Sequence, residues 1–257
     1  MNRPVCLVAV SLYSPAGIGA AGAGAGVPGP VPGFDPVAAG LPRKHLKTMT
    51  RAVQLGFAAV SAALRAYPAW TEVPPPRRGL YVGASPQSGD PEDLAAALGA
   101  MSAPTVGAFA RDAVPLIPPL WLVKGLSNNV LGYASAHHDL QGDNGNWCDG
   151  PLGGAVALCA AVHAVAEGRV DLAVAGGADS LIDAERVLGR PGGEGAAFLV
   201  LVPGTAGVPV RAGVPLVEPH DEGLGDLGAA FVPVSLGRRW YRGERVFSAG
   251  GLLLGVS

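Results

Sequence analysis

The sequence predicts a layered α/β fold built around a mixed sheet, and three observations carry that expectation. Short, nearly continuous apolar runs bounded by turn residues read as strands buried on both faces. Longer segments with apolar residues at helical spacing lie between them, and strands alternating with helices imply a sheet covered by helical layers. The composition, 49% hydrophobic against 15% charged over 257 residues, supplies the apolar surface for a core and is the opposite of a disordered chain.

The elements follow in order. Val5–Leu12 (VCLVAVSL) is the first strand. Ala16–Gly33, a Gly/Ala/Pro stretch, reads as an irregular surface loop; it lacks both the GxxxxGK[ST] pattern and the strand–GxGxxG–helix order of a phosphate cradle. From His45 to Arg65, Leu46, Met49, Val53, Leu55, Phe57, Val60 and Leu64 recur at helical spacing. Lys44, Lys47 and Arg51 gather at the start of that helix, either as a solvated face or as a dock for an acidic partner. Leu80–Ala84 reads as a strand, Glu92–Met101 as a short helix, and Pro118-Pro119 opens a mostly helical stretch to about His138. Asp149-Gly150-Pro151 is a helix start, with Asp149 as candidate N-cap and the proline near the first turn. Val156–Ala166 is apolar nearly all round and so belongs to a buried helix, which Gly168 stops. Val170–Ala175 is a buried strand and Gly176-Gly177 turns the chain. Further strands are expected at Ala196–Val202, Val246–Ser248 and Leu252–Val256, with a helix around Leu227–Trp240.

Several function classes are disfavoured. A net charge of −2 gives no electrostatic basis for binding nucleic acid, which depends on many Lys/Arg contacts to phosphate. Cys6, Cys148 and Cys159 form no CxxC pair and leave one over in any disulfide scheme, so a reducing compartment, the cytoplasm, is expected. No run of roughly 18 apolar residues is free of Gly, Pro and charge, so no membrane span is expected. Cys159 and His163 form an i, i+4 pair on an apolar helix and read as core packing. His137-His138-Asp139 reads as a polar helix end, and with no second cluster at ligand spacing neither a metal nor a cofactor is expected.

The run from Ile117 to Leu201 resembles the N-terminal half of β-ketoacyl synthases and their non-catalytic partners. Leu126-Ser127-Asn128 followed by Gly142-Asp143-Asn144 looks like the family's asparagine-containing helix and the loop before its nucleophile. Glu167-Gly168-Arg169-Val170-Asp171 leading to Ala175-Gly176-Gly177 looks like its Gly-x-x-Asp…Ala-Gly-Gly segment, and Gly193-Glu194-Gly195-Ala196-Ala197 matches its Gly-Glu-Gly-Ala-Ala turn. The resemblance implies the thiolase-like layered α-β-α architecture with a mixed sheet and an abbreviated second half. Residues 1–203 would form the N-terminal-half-like region, and residues 204–257 a shortened remnant completing the same domain.

The resemblance also locates the chemistry. Active synthases carry a cysteine at the N-terminus of a buried helix, where the helix dipole favours thiolate, about 20 residues before the Asp of Gly-x-x-Asp. Counting back from Asp171 gives Pro151. Proline offers no nucleophile, and it lacks the backbone N–H that would be one of two oxyanion-hole donors, a contact worth on the order of 3 kcal/mol in the transition state. Gly225 stands where the second catalytic histidine would be and Ala249 where the gating phenylalanine would be; only Glu218-Pro219-His220 faintly echoes the first-histidine motif.

The combination is similar to a chain-length-factor type protein, a nucleophile-less homologue that pairs with an active β-ketoacyl synthase in type II polyketide, aryl-polyene or fatty-acid-like chain assembly. No catalytic residue is then expected. Asn146, Trp147 and Cys148, on the loop before the vacant position, are candidates for the wall of the partner's acyl tunnel. Arg238, Arg239, Arg242 and Arg245 are candidates for a contact with an acyl carrier protein, reached through the synthase. The competing expectation is an acyltransferase or condensing enzyme using Cys148, three residues before Pro151, as its nucleophile. Asp149 beside it opposes that role, because a neighbouring negative charge raises a thiol pKa.

Overall fold

The computed structural model describes residues 2–85, 92–184, 189–215 and 223–255. Glu218, Pro219 and His220 lie outside the described residues. The sequence alternation yields strands β1 (Val5–Ser14), β2 (Gly17–Ile18), β3 (Arg78–Ala84), β4 (Asn144–Trp147), β5 (Leu172–Ser180), β6 (Glu194–Pro203), β7 (Val208–Ala212), β8 (Phe247–Ala249) and β9 (Leu252–Leu254). They join in one nine-stranded mixed sheet of order β4-β3-β5-β6-β1-β7-β9-β8, with β2 paired to β1. β3 is parallel to both β4 and β5, whereas β5–β6 and β6–β1 are antiparallel.

Helices cover both faces, giving the α-β-α layering the sequence predicts. On one side α1 (Arg51–Arg65) and α3 (Asn129–His138) pack on Leu80, Val82, Leu172, Val174, Phe198 and Val200. On the other, α4 (Gly153–Ala166) and α5 (Phe231–Tyr241) pack on Tyr81, Ala173, Ala175, Ala197, Leu199 and Leu201. Successive residues of β6 thus enter opposite cores, the period of two that makes a doubly covered strand read as an unbroken apolar run. The helix expected from His45 divides: a turn at Arg43–Leu46 precedes α1, whose start is set by the Thr50 hydroxyl accepting from the Val53 N–H at 3.4 Å. The excursion between β3 and β4 also carries α2 (Glu92–Gly99) and a series of short turns to residue 126.

Two expectations change. Gly176-Gly177 is not a turn but the middle of β5. A Cβ at Gly176 would overlap the Ala197 carbonyl oxygen, and one at Gly177 the Ala229 carbonyl oxygen, so these glycines serve close packing rather than chain reversal. The Ala16–Gly33 segment is irregular but only partly on the surface: Gly22, Ala23 and Val31 are buried.

The Gly-x-x-Asp aspartate has a structural explanation. Asp171 accepts from Arg77 Nε at 2.8 Å and from Arg3 Nη1 at 2.7 Å, tying the start of the chain to the start of β3 and β5. Hydrogen bonds from these two guanidiniums hold its carboxyl well below the usual range, at about 2.

Candidate functional site

The position expected to hold a nucleophile lies where β4 gives way to α4. The chain leaves β4 at Trp147 and passes Cys148 and Asp149. It then makes a 3-10 turn over Gly150–Leu152 before α4 begins at Gly153. Gly150 has φ +54°, the left-handed region that glycine takes without penalty. Pro151 is in the first positions of the turn, where its missing N–H costs nothing. Asp149 does not cap α4: it precedes the 3-10 turn, makes no side-chain capping hydrogen bond, and Leu152 is the residue before the helix.

Backbone fills the space around this helix start. A Cβ at Gly154 would overlap the Ala229 carbonyl oxygen and lie 2.7 Å from Pro233 Cδ; one at Gly83, on β3, would overlap the Gly154 nitrogen. Gly153 meets the Trp147 carbonyl oxygen at 2.9 Å in the same sense. The small residues of the sequence therefore let β3, the Gly228–Ala230 turn and α4 approach at backbone contact.

Two buried carboxylates hold that turn. Asp179, at the end of β5, accepts from the Ala229 N–H at 3.0 Å, the Ser180 N–H at 2.9 Å and the Ser85 hydroxyl. Asp226 accepts from the Gly228 N–H at 2.9 Å and from Arg190. Gly228, with φ +48°, faces the Asp179 carboxylate so closely that a Cβ would overlap it. Burial pushes the Asp179 carboxyl up to about 6, against the three donors that favour its charged form. A raised carboxyl binds more protons folded than unfolded between about pH 4 and 6, so its contribution to stability falls as pH rises through that window, by about 3 kcal/mol. Asp179→Asn removes this dependence: in urea unfolding, the variant should gain on the parent as pH rises from about 4 to 7. A gap that does not change with pH would contradict it.

The Asp179 clamp needs Ser85 and Ala229, each far from it in sequence, and has no local signal. Glu194 was missed in the same way. Rather than forming a turn, it opens β6, fully buried, and accepts from Arg51 Nη2 at 2.6 Å and the Val31 N–H at 2.7 Å. Arg51 is thereby removed from the solvated basic group to which sequence assigned it.

Asn146 and Trp147 are on β4, an edge strand, rather than on a loop, and Cys148 follows directly. Trp147 stacks on Tyr81 at 6.3 Å, and Asn146 Nδ2 donates to Cys148 Sγ at 3.3 Å. Among the described residues no histidine or cation pairs with that thiol. Arg238 is corrected: it is 3% exposed and donates to the Gly24 carbonyl at 2.8 Å, so it packs α5 against the chain rather than lining a rim. Arg242 is exposed and donates from Nε to the Ala23 carbonyl at 3.1 Å, Arg245 lies 4.2 Å over the Trp240 ring, and Arg239 is half-buried. Gly225 has no side chain, and Ala249 only a methyl group, where the resemblance puts a histidine and a phenylalanine. His138 donates to or accepts from Ser61 Oγ at 2.7 Å, burial depressing its pKa to about 4, and among the described residues no group of three His, Cys, Asp or Glu is arranged to hold a metal. No described helix is long and apolar enough to cross a membrane.

The fold has counterparts among solved structures. Solved structures similar to the chain include "The ishigamide ketosynthase/chain length factor", at TM-score 0.66 and 18% identity over 94% of this chain and 91% of that one. The type II PKS assembly "AntDE:AntF (apo)", an acyl-carrier protein in complex with its ketosynthase bound to the hexaketide, matches at TM-score 0.65 and 19% identity over 79% of this chain. A β-ketoacyl synthase from Burkholderia phymatum STM815 matches at TM-score 0.58 and 19% identity, also over 79% of this chain. The match spans 64% and 60% of those last two chains. These likenesses give the fold, the thiolase-like arrangement of ketosynthases. No curated protein sequence matches the chain. The family described as "Beta-ketoacyl synthase, N-terminal domain" matches residues 20–191, about two thirds of the sequence, and the chain belongs to that family.

Proposed function

We propose that this chain is a catalytically silent, chain-length-factor type subunit that pairs with an active β-ketoacyl synthase in type II polyketide, aryl-polyene or fatty-acid-like chain assembly. The observation that carries the reading is Pro151 in the turn that leads into α4: the position offers neither an attacking atom nor a backbone N–H donor. Pairing has two further supports. β4 is a sheet edge, whose outer backbone groups are free to meet a partner. The excursion after β3 packs mainly on itself and leaves Leu98, Val106, Val114, Leu116, Leu122 and Leu126 exposed, more apolar surface than a solvated arm needs. In this reading Asn146, Trp147 and Cys148 face the synthase's acyl tunnel, and Arg239, Arg242 and Arg245 offer charge to the acidic carrier protein the synthase serves.

Co-expression with a synthase from the same assembly tests it. The two chains should elute together on size exclusion, and omitting this chain should change product length or abolish product. A monomer that leaves synthase activity and product length unchanged would defeat the proposal.

A further inference from the structure

On the face of the sheet away from α4, the sequence cluster of basic residues meets a groove that the ketosynthase reading does not use. It holds about 530 Å³ between the turn before α1 and helix α3, within the range of small-molecule sites. Lys44, His45 and His137 border it, with Asn129, Tyr133 and Phe57. No Asp or Glu lines it, and among the described residues Arg43, Lys44 and Lys47 make no ion pair, so its positive potential is not neutralised locally.

The walls are fixed before any ligand arrives. The Tyr133 hydroxyl donates to Thr48 Oγ1 at 2.6 Å, and that hydroxyl donates to the His45 carbonyl at 2.8 Å, joining α3 to the turn that carries Lys44 and His45. The His45 ring lies 5.4 Å from the Tyr133 ring, and the His137 ring 5.1 Å from Phe57, edge-on. Asn129 Nδ2 donates to the Val123 carbonyl at 2.6 Å, anchoring the start of α3. His138, by contrast, turns inward to Ser61 and leaves His137 as the α3 imidazole on the groove.

A concave site with an ammonium, two imidazoles and the half-buried Tyr133 ring matches an anion attached to a flat or apolar body. A phosphate accepts charge-assisted hydrogen bonds from Lys and His, and the Tyr133 ring supplies apolar contact to the remainder. A carboxylate offers fewer acceptor oxygens to three donors arranged around a cavity. We infer that this groove binds the phosphate monoester of a small organic molecule, with Lys44, His45 and His137 on the phosphate and Tyr133 against the organic part.

The five histidines make the test direct. The full chain is titrated with phenyl phosphate, inorganic phosphate and benzyl alcohol while the imidazole Cε1 proton resonances are followed. Phenyl phosphate should give saturable shifts of His45 and His137, inorganic phosphate should bind more weakly, and benzyl alcohol should not saturate. Lys44→Ala combined with His137→Ala, both exposed positions, should weaken phenyl phosphate at least about tenfold without changing thermal unfolding, whereas Arg211→Ala should leave binding unaltered. Absence of saturation, shifts centred on His163, or equal affinity in the double variant would overturn the site. Inorganic phosphate binding as tightly as the ester would overturn the assignment of ligand class.

Discussion

Arg51→Met is expected to destabilise the chain by about 3–5 kcal/mol, because it leaves the Glu194 carboxylate buried without a counter-charge. Glu194 has no exposed surface, and the Arg51 guanidinium reaches both of its oxygens, at 2.6 Å and 3.0 Å. The partners left to the anion are the Val31 N–H at 2.7 Å and the Ser180 hydroxyl at 3.4 Å. Two neutral donors do not replace a bidentate cation, so the start of β6 must open to hydrate the charge. For a chain of this length the loss corresponds to a fall in Tm of roughly 10 °C. A further measurement separates a stranded charge from a lost contact with Phe34, over which Arg51 lies at 4.6 Å. Adding Glu194→Gln to Arg51→Met should restore most of the stability. A double variant as unstable as the single one would place the cost in packing instead.

Gly154→Leu should prevent native folding, at a cost above about 4 kcal/mol. The new side chain would enter the Ala229 carbonyl and the Pro233 ring, neither of which can rotate away. Relief would require α4 to leave β3, which its own backbone touches at Gly83. Gly132→Ala is the contrasting case: the position is helical, a Cβ there meets nothing within 4 Å, and the change should be neutral or stabilising by about 0.5–1 kcal/mol. Thermal unfolding followed by circular dichroism distinguishes the pair, and a Gly154→Leu chain that melts like the parent would refute the packing described at the start of α4.

What the sequence made legible were features encoded locally. The apolar runs around β1, β3, β5 and β6 are visible because each strand is covered on both faces, and α4 because its composition admits few polar neighbours. The proline at position 151 is visible by spacing from Asp171. The features that escaped depend on residues distant in the chain. Gly176 and Gly177 punctuate when read singly, and only the carbonyls of Ala197 and Ala229 reveal that they pack. Arg51 belongs to Glu194, 143 residues away, and Arg238 to a backbone oxygen 214 residues away; neither partnership leaves a periodic signal. Asp179 is the most instructive case, since nothing around it in sequence marks its clamp on the Gly228–Ala230 turn, which the fold alone assembles.

In the proposed silent subunit no side chain attacks an acyl thioester. Intact-mass spectrometry of the purified chain, after incubation with cerulenin or with an acyl-carrier thioester beside an active synthase as control, measures it directly. An unmodified mass is expected here and an adduct on the synthase; a stoichiometric adduct mapping to Cys148 would contradict the proposed silence of this chain.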